Sequence, residues 1–309
     1  MTISSLGPSA ARVSGRPRGY RQPAWLGYAF ISPAMLLFLV FIVAPFVAAI
    51  ALSFFNWDLL TPAQPAGLAN YAQLFGDRQL VHVLANTFVF ALGSVVTHVA
   101  GGLLLALALN HVMNRILASV VKATLFFPLL ISWAAVALLW KYVLDPTFGY
   151  IGYYLRQIGI PTPSFFADPH WALAAIIGVD FWHTIGYTLI IMLAGLQTVP
   201  RELVEAAQTD GASSRQVFFN VTLPLMSPTI FFATVITFIG AFQIFDPMQI
   251  ITQGGPNEST MSVVQYLYLT AFQSFNVGYA STIALVVFVI VMGVTAVQFW
   301  ASRRWVYQS

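Results

Sequence analysis

Six stretches of this chain stay apolar for about 20 residues or more, enough for a helix to cross a ~30 Å hydrocarbon slab. They fall near residues 24–54, 86–109, 117–144, 171–197, 225–251 and 277–301. Backbone in lipid must satisfy its own hydrogen bonds, so stretches of this kind fold as helices. Composition agrees: 59% of residues are hydrophobic and only 7% charged. That is too little charge to cover a water-soluble surface. The expected fold is an all-α integral membrane protein with six transmembrane helices. A chain of 309 residues holds such a bundle, without room for a large soluble domain besides. No cysteine is present, which excludes disulfides, thiol catalysis and cysteine-based metal sites.

Six spans put both termini on one side, and the basic residues choose it. Arg12, Arg16, Arg18 and Arg21 precede the first run, Arg115 and Lys122 lie between the second and third, and Arg201 and Arg215 between the fourth and fifth. Arg303 and Arg304 follow the last, leaving only Arg78, Lys141 and Arg156 opposite. The positive-inside rule then places both termini in the cytoplasm. Asp58, Asp77, Asp145, Asp168 and Glu258 all fall in the outer connections, which agrees. The first run is long and carries Pro33 and Pro45, and it lacks a small-residue cleavage site; it reads as an uncleaved anchor. The expected organisation is a basic arm at 1–23, a six-helix membrane domain at 24–301 and a short tail at 302–309.

The outer connections differ in character. Residues 56–77, with Pro62, Pro65 and Gly67, read as an extended segment leading into a short helix. Residues 149–160 space Tyr150, Tyr153, Tyr154 and Gln157 helically, as an aromatic-rich helix along the outer interface would. Residues 160–169, with three prolines, form a rigid linker into the fourth span.

The inner segment 202–228 is far longer than a helix-to-helix connection needs. Pro200 opens a helix, and Glu202 and Glu205 sit near the positive end of its dipole. Gly211 ends that helix or lets another backbone come close. Ala206, Ala207 and Ala212 are small, and Leu203 and Val204 supply apolar contact. The result is a short, smooth-sided helix suited to a protein groove, after which Pro224 and Pro228 bend the chain back into the membrane. A helix that merely rests on lipid headgroups would carry Lys and Arg on its polar face. This one has Glu202, Glu205 and Asp210 against Arg201 and Arg215.

Glu205-Ala206-Ala207, Asp210-Gly211-Ala212 and Leu223-Pro224-Leu225 with Pro228 resemble the EAA loop of binding-protein-dependent ABC importer permeases. Gly254-Gly255-Pro256, Ser259-Thr260 and Gly278-Tyr279-Ala280-Ser281 are similar to the sugar-permease branch, of the MalF/UgpA type. The resemblance covers nearly the whole chain, without the large outer domain of the maltose permease. It implies a type I importer fold in the bacterial inner membrane and import of a sugar, polyol or glycerol-phosphate compound. It also implies a non-catalytic subunit working with a second MalG/UgpE-like permease, two ATPase subunits and an extracellular solute-binding protein. Glu202, Glu205, Ala206, Ala207, Asp210, Gly211 and Ala212 would form the coupling helix seated on an ATPase. No cofactor is expected on this chain, with ATP and Mg held by the ATPase. Consistently, no Gly-Lys dipeptide occurs from which to build a phosphate loop.

Polar groups inside a membrane are costly and are therefore candidates for function. In the fourth span Asp180, His183, Thr184 and Tyr187 fall at i, i+3, i+4 and i+7, on one helical face. At ~1.5 Å per residue they lie about 14 to 24 Å from Trp171, near mid-membrane. Such a stripe could hydrogen-bond a polyol, and the ungapped distance to Glu205 puts the resembling family's solute contacts on these same positions. Most of their identities differ from the maltose subunit, so the match concerns location and not maltose. Asp180 and His183 could equally pair with each other or with a neighbouring helix. The fifth span offers Thr237, Gly240, Gln243 and Asp246, with a one-residue ambiguity in register; Asp246-Pro247 could also simply interrupt the helix. His98 stands alone on an apolar face and reads as a packed structural residue.

Two other classes fit worse. A membrane-embedded enzyme needs an acid, base or metal cluster, and the five histidines are scattered. A secondary transporter predicts two inverted halves, and no such symmetry is present.

Overall fold

The computed structural model describes residues 24–111 and 114–306. The expected arm at 1–23 and the last three residues of the tail lie outside the described residues. The chain divides into two compact units, Met1–Ala48 and Ala49–Ser309. In the first, α1 (Ala24–Phe38) passes through a π turn, Leu39–Val43, into α2 (Ala44–Leu52), which runs on into the second unit. The π turn precedes Pro45, whose ring would clash with the carbonyl four residues back; the wider turn accommodates it.

The second unit opens with a two-stranded antiparallel hairpin, β1 (Phe55–Asn56) against β2 (Gln64–Pro65), and a short helix α3 (Ala69–Leu74). Then come α4 (Arg78–His111), α5 (Arg115–Phe126), α6 (Trp133–Val143), α7 (Tyr150–Gln157) and α8 (Pro169–Gln197). After these follow α9 (Arg201–Thr209), α10 (Ser214–Val217), α11 (Leu223–Phe242), α12 (Val263–Phe272) and α13 (Val277–Ser302). Among the described residues five helices are long and apolar enough to cross a membrane, and six if one bent pair counts as a single span.

That bent pair is the first departure from expectation. Residues 117–144 do not form one helix: Ile116–Leu130 and Trp133–Val143 meet at 104°. Pro128 has no N–H and sits in a 3₁₀ turn, Phe127–Leu130, while Ile131 is extended. Ser132 restarts the chain as N-cap of α6, its hydroxyl accepting from Ala135 N at 3.4 Å.

The fifth span departs in the opposite way. Pro224 and Pro228 do not bend the chain; an apolar helix runs unbroken from Ser214 to Phe242. A π turn at Phe218–Thr222 absorbs Pro224. Pro228 cannot donate to the Pro224 carbonyl, and the Ser227 hydroxyl takes its place at 2.6 Å. The span therefore starts earlier than 225 and ends at Phe242, well before 251, where Gln243 leaves helical geometry. A separate π turn, Met248–Thr252, follows Pro247.

The core lies between α4 and α8, with α11 packed on α4. Close approach rests on glycine. A Cβ on Gly101 would come 2.6 Å from the Phe181 ring, and one on Gly102 would come 2.8 Å from Thr188 Cγ2. Phe90, Ile176, Phe242, Met248 and Ile283 are fully buried in one apolar cluster that joins α4, α8, α11 and α13. At the start of α4, Asp77 accepts hydrogen bonds from the hydroxyls of Tyr266 (2.7 Å) and Tyr279 and from Leu80 N (2.8 Å), tying α12 and α13 to α4. Asn70 donates to the Ser53 and Phe55 carbonyls, both at 2.9 Å. A side chain at Gly278 would overlap the Phe55 carbonyl.

Candidate functional site

The segment after α8 forms the helix expected there. Pro200 stands at the N-cap of α9, and Glu202 lies in the first turn, where the dipole is positive. Ala212 N donates to Ala207 O and Gly211 N to Gln208 O, both at 3.0 Å, a Schellman closure. It requires a left-handed residue at Gly211, whose φ is +83°. Ser213 and Gln216 then form a capping box that starts α10.

α9 is exposed over most of its surface. Glu202, Glu205, Ala206, Asp210 and Gly211 are exposed, while Val204, Ala207 and Ala212 are half-buried towards the chain. Leu203 is 49% exposed, a large apolar side chain half open to its surroundings. Behind the helix is a cavity of about 740 Å³ lined by Leu107, Asn110, Leu196, Glu205, Gln208 and Phe218, among others. The sequence-predicted coupling residues are thus gathered on one short, largely exposed helix and the turn that closes it.

The stripe on α8 is one helical face, but the structure divides its members. Asp180 and His183 are buried, Thr184 is half-buried and Tyr187 is 44% exposed. Asp180 Oδ2 accepts from the Ser94 hydroxyl of α4 at 2.8 Å. His183 Nε2 donates to the Ile131 carbonyl at 3.1 Å, and its ring lies 4.1 Å from that of Trp133. Asp180 and His183 therefore each bond to a different neighbouring segment and not to each other. Thr184 meets His98 Nε2 at 2.7 Å. On α11 Gly240, and beyond its end Gln243, are exposed, with Thr237 half-buried. Asp246 is exposed in the break that follows.

Three residues join the stripe: sequence reasoning missed Ser94 and Gly186, and read His98 as a packed residue standing alone. Ser94 and His98 lie at i and i+4 on α4, a spacing that could have marked them as a polar pair on an apolar helix. Gly186 is the third: a Cβ there would overlap the Leu125 carbonyl and come 2.6 Å from Phe126 Cα, so only glycine lets α8 lie against the break. No group of three or more potential metal ligands occurs among the described residues.

Residues 98–307 match the family described as binding-protein-dependent transport system inner membrane component. The chain belongs to this family. Among curated relatives, the probable ABC transporter permease protein YesP of Bacillus subtilis is 37% identical over 305 residues, covering 97% of each chain. The sulfoquinovosyl glycerol transport system permease protein SmoG of Agrobacterium fabrum is 34% identical, covering 88% of each. Among solved structures, a bacterial ABC transporter involved in import of the acidic polysaccharide alginate matches with a TM-score of 0.79 at 25% identity. That match covers 91% of this chain and 96% of the other. A bacterial alginate ABC transporter in complex with an alginate pentasaccharide-bound periplasmic protein matches equally, with a TM-score of 0.79 at 25% identity. This permease is thus a multi-pass inner-membrane subunit of a binding-protein-dependent ABC importer, in the company of sugar and glycerol-phosphate permeases.

Proposed function

We propose that this permease moves a sugar or related polyol or glycerol-phosphate compound into the cell. It does so as one of two permease subunits driven by two separate ATPase subunits and supplied by an extracellular solute-binding protein. α9 is the docking element, with Glu202, Glu205, Asp210 and the small residues between them set in the ATPase groove. ATP and Mg are bound by the ATPase, and this chain holds no cofactor. Both termini and α9 lie on the cytoplasmic side. The observation that carries this reading is the exposed α9, closed behind by the turn at Gly211, with Leu203 half open and Ala206 exposed.

The solute path runs along the faces that carry Tyr187 and Thr184 on α8, with Thr237, Gly240 and Gln243. Asp180 and His183 stand behind that face and shape it. Neither α8 nor α11 carries Lys or Arg, which favours a neutral, hydroxyl-rich solute. A phosphate ester would need a cation from the second permease. The test is a thermal-shift screen of the importer's solute-binding protein against neutral sugars, glycerol-phosphate esters and uronates. The hit should then be taken up by cells carrying this permease and not by cells lacking it.

A further inference from the structure

Between α4 and α8 the His98 ring faces an oxygen at each of its two nitrogens. The Thr184 hydroxyl lies 2.9 Å from the Asp180 main-chain oxygen and 2.7 Å from His98 Nε2. A hydroxyl has one hydrogen, and a carbonyl can only accept. Thr184 therefore donates to the carbonyl and accepts from Nε2–H. The other ring nitrogen, Nδ1, is 2.7 Å from the Ser94 carbonyl and must donate as well. Both nitrogens of His98 carry hydrogen, so the ring is an imidazolium.

The counter-charge is beside it. Asp180 Oδ2 is 3.9 Å from His98 Nε2. The Ser94 hydroxyl donates to this same carboxyl oxygen at 2.8 Å, and the adjacent imidazolium favours the ionised carboxylate. Both side chains are buried, His98 at 2% and Asp180 at 7% exposure. The Phe181 ring, 5.6 Å away, walls the imidazolium. Among groups on the elements packed here, His183 on α8 is the other titratable neighbour, and α11 has none.

We propose that His98 and Asp180 form an intramembrane ion pair that clasps α4 to α8 and positions Thr184. The carboxylate costs too much free energy unpaired in this setting, and the imidazolium neutralises it. In the clasp the Thr184 hydrogen is turned back onto its own helix, which leaves Tyr187 as the donor that α8 offers a solute. His98 is a positioning residue and touches no solute. The clasp stands whether or not this face carries solute.

The test is nuclear magnetic resonance of the full chain in lipid nanodiscs at pH 7, with histidine labelled in ¹³C and ¹⁵N. The ring signal lost in His98→Gln should show hydrogen on both nitrogens, and Asp180→Asn should convert it to a neutral ring with a bare Nε2. If His98→Gln fails to insert, a chain with His82, His111 and His170 replaced by Gln leaves two rings. Through-space contacts to Phe181 and Trp133 tell those two apart. Removing both charges should also restore heat resistance: His98→Gln/Asp180→Asn unfolds at a higher temperature than His98→Gln alone. A bare nitrogen on His98 in the wild-type chain, or a double variant no more stable than the single, overturns the clasp. Neither readout depends on transport, so its failure is separate from a failure of the solute-path assignment.

Discussion

His183 Nε2 lies 3.1 Å from the carbonyl oxygen of Ile131, at the break where the third apolar stretch turns through 104°. Breaking a helix inside a membrane frees backbone carbonyls that have no water to bond. His183 supplies the donor. His183→Leu should therefore destabilise the chain by about 1–3 kcal/mol, the cost of an orphaned buried acceptor. His183→Gln, which keeps a donor, should recover part of that. Thermal unfolding of the purified chain in detergent measures both.

Gly186 holds the other side of the same contact. Gly186→Ala forces a methyl group into the Leu125 carbonyl, which is backbone and cannot swing aside. We expect a loss of about 1–3 kcal/mol, within the range for overpacking. Gly178→Ala, eight residues earlier on α8, meets open space and should be near neutral. Equal effects of the two substitutions would show that the break does not rest on α8.

Asp77 predicts an acid limit. Burial works to raise its carboxyl, but hydrogen bonds from Tyr279, Leu80 and Tyr266 outweigh it and hold the group below its ordinary value of 3.8. A depressed carboxylate adds stability that is complete above the unfolded value and lost as pH falls through the folded one. The junction of α12 and α13 with α4 should thus hold above about pH 4 and loosen below it. Hydrogen exchange across residues 263–283 should show this, and Asp77→Asn should show the loosened pattern already at pH 7.

Tyr187 is the test of the solute path. It is large and 44% exposed, on the helix where Asp180, His183 Nε2 and Thr184 hydrogen-bond within the chain. Tyr187→Ala should lower uptake of the solute found by the binding-protein screen, by about tenfold if one hydrogen bond and one stacking contact are lost. Basal ATP hydrolysis should not change. Unaltered uptake kinetics would remove Tyr187 from the path.

Much of this was legible before any coordinates. Apolar length marked the spans, because lipid leaves a backbone little choice, and α9 was readable because its caps are local: Pro200 in front, Gly211 behind. What the sequence hid was non-local. Pro128 breaks its helix while Pro224 and Pro228 do not. The difference lies in the neighbours: Gly186 and His183 receive the first break, whereas a π turn and the Ser227 hydroxyl repair the second. The α8 stripe was placed correctly on one face, but a helical wheel cannot say that α4 brings Ser94 and His98 against two of its members.

The central claim is that α9 is where an ATPase seats, and the absence of cysteine makes the measurement clean. A single Ala206→Cys on the exposed face of α9 should cross-link to the ATPase subunit through a short bifunctional thiol–amine reagent. Tyr150→Cys, on α7, should not. Adding Glu205→Lys should abolish both the cross-link and co-purification of the ATPase while leaving the chain in the membrane. An ATPase that co-purifies undiminished with the Glu205→Lys chain, and that never cross-links to position 206, would contradict the account.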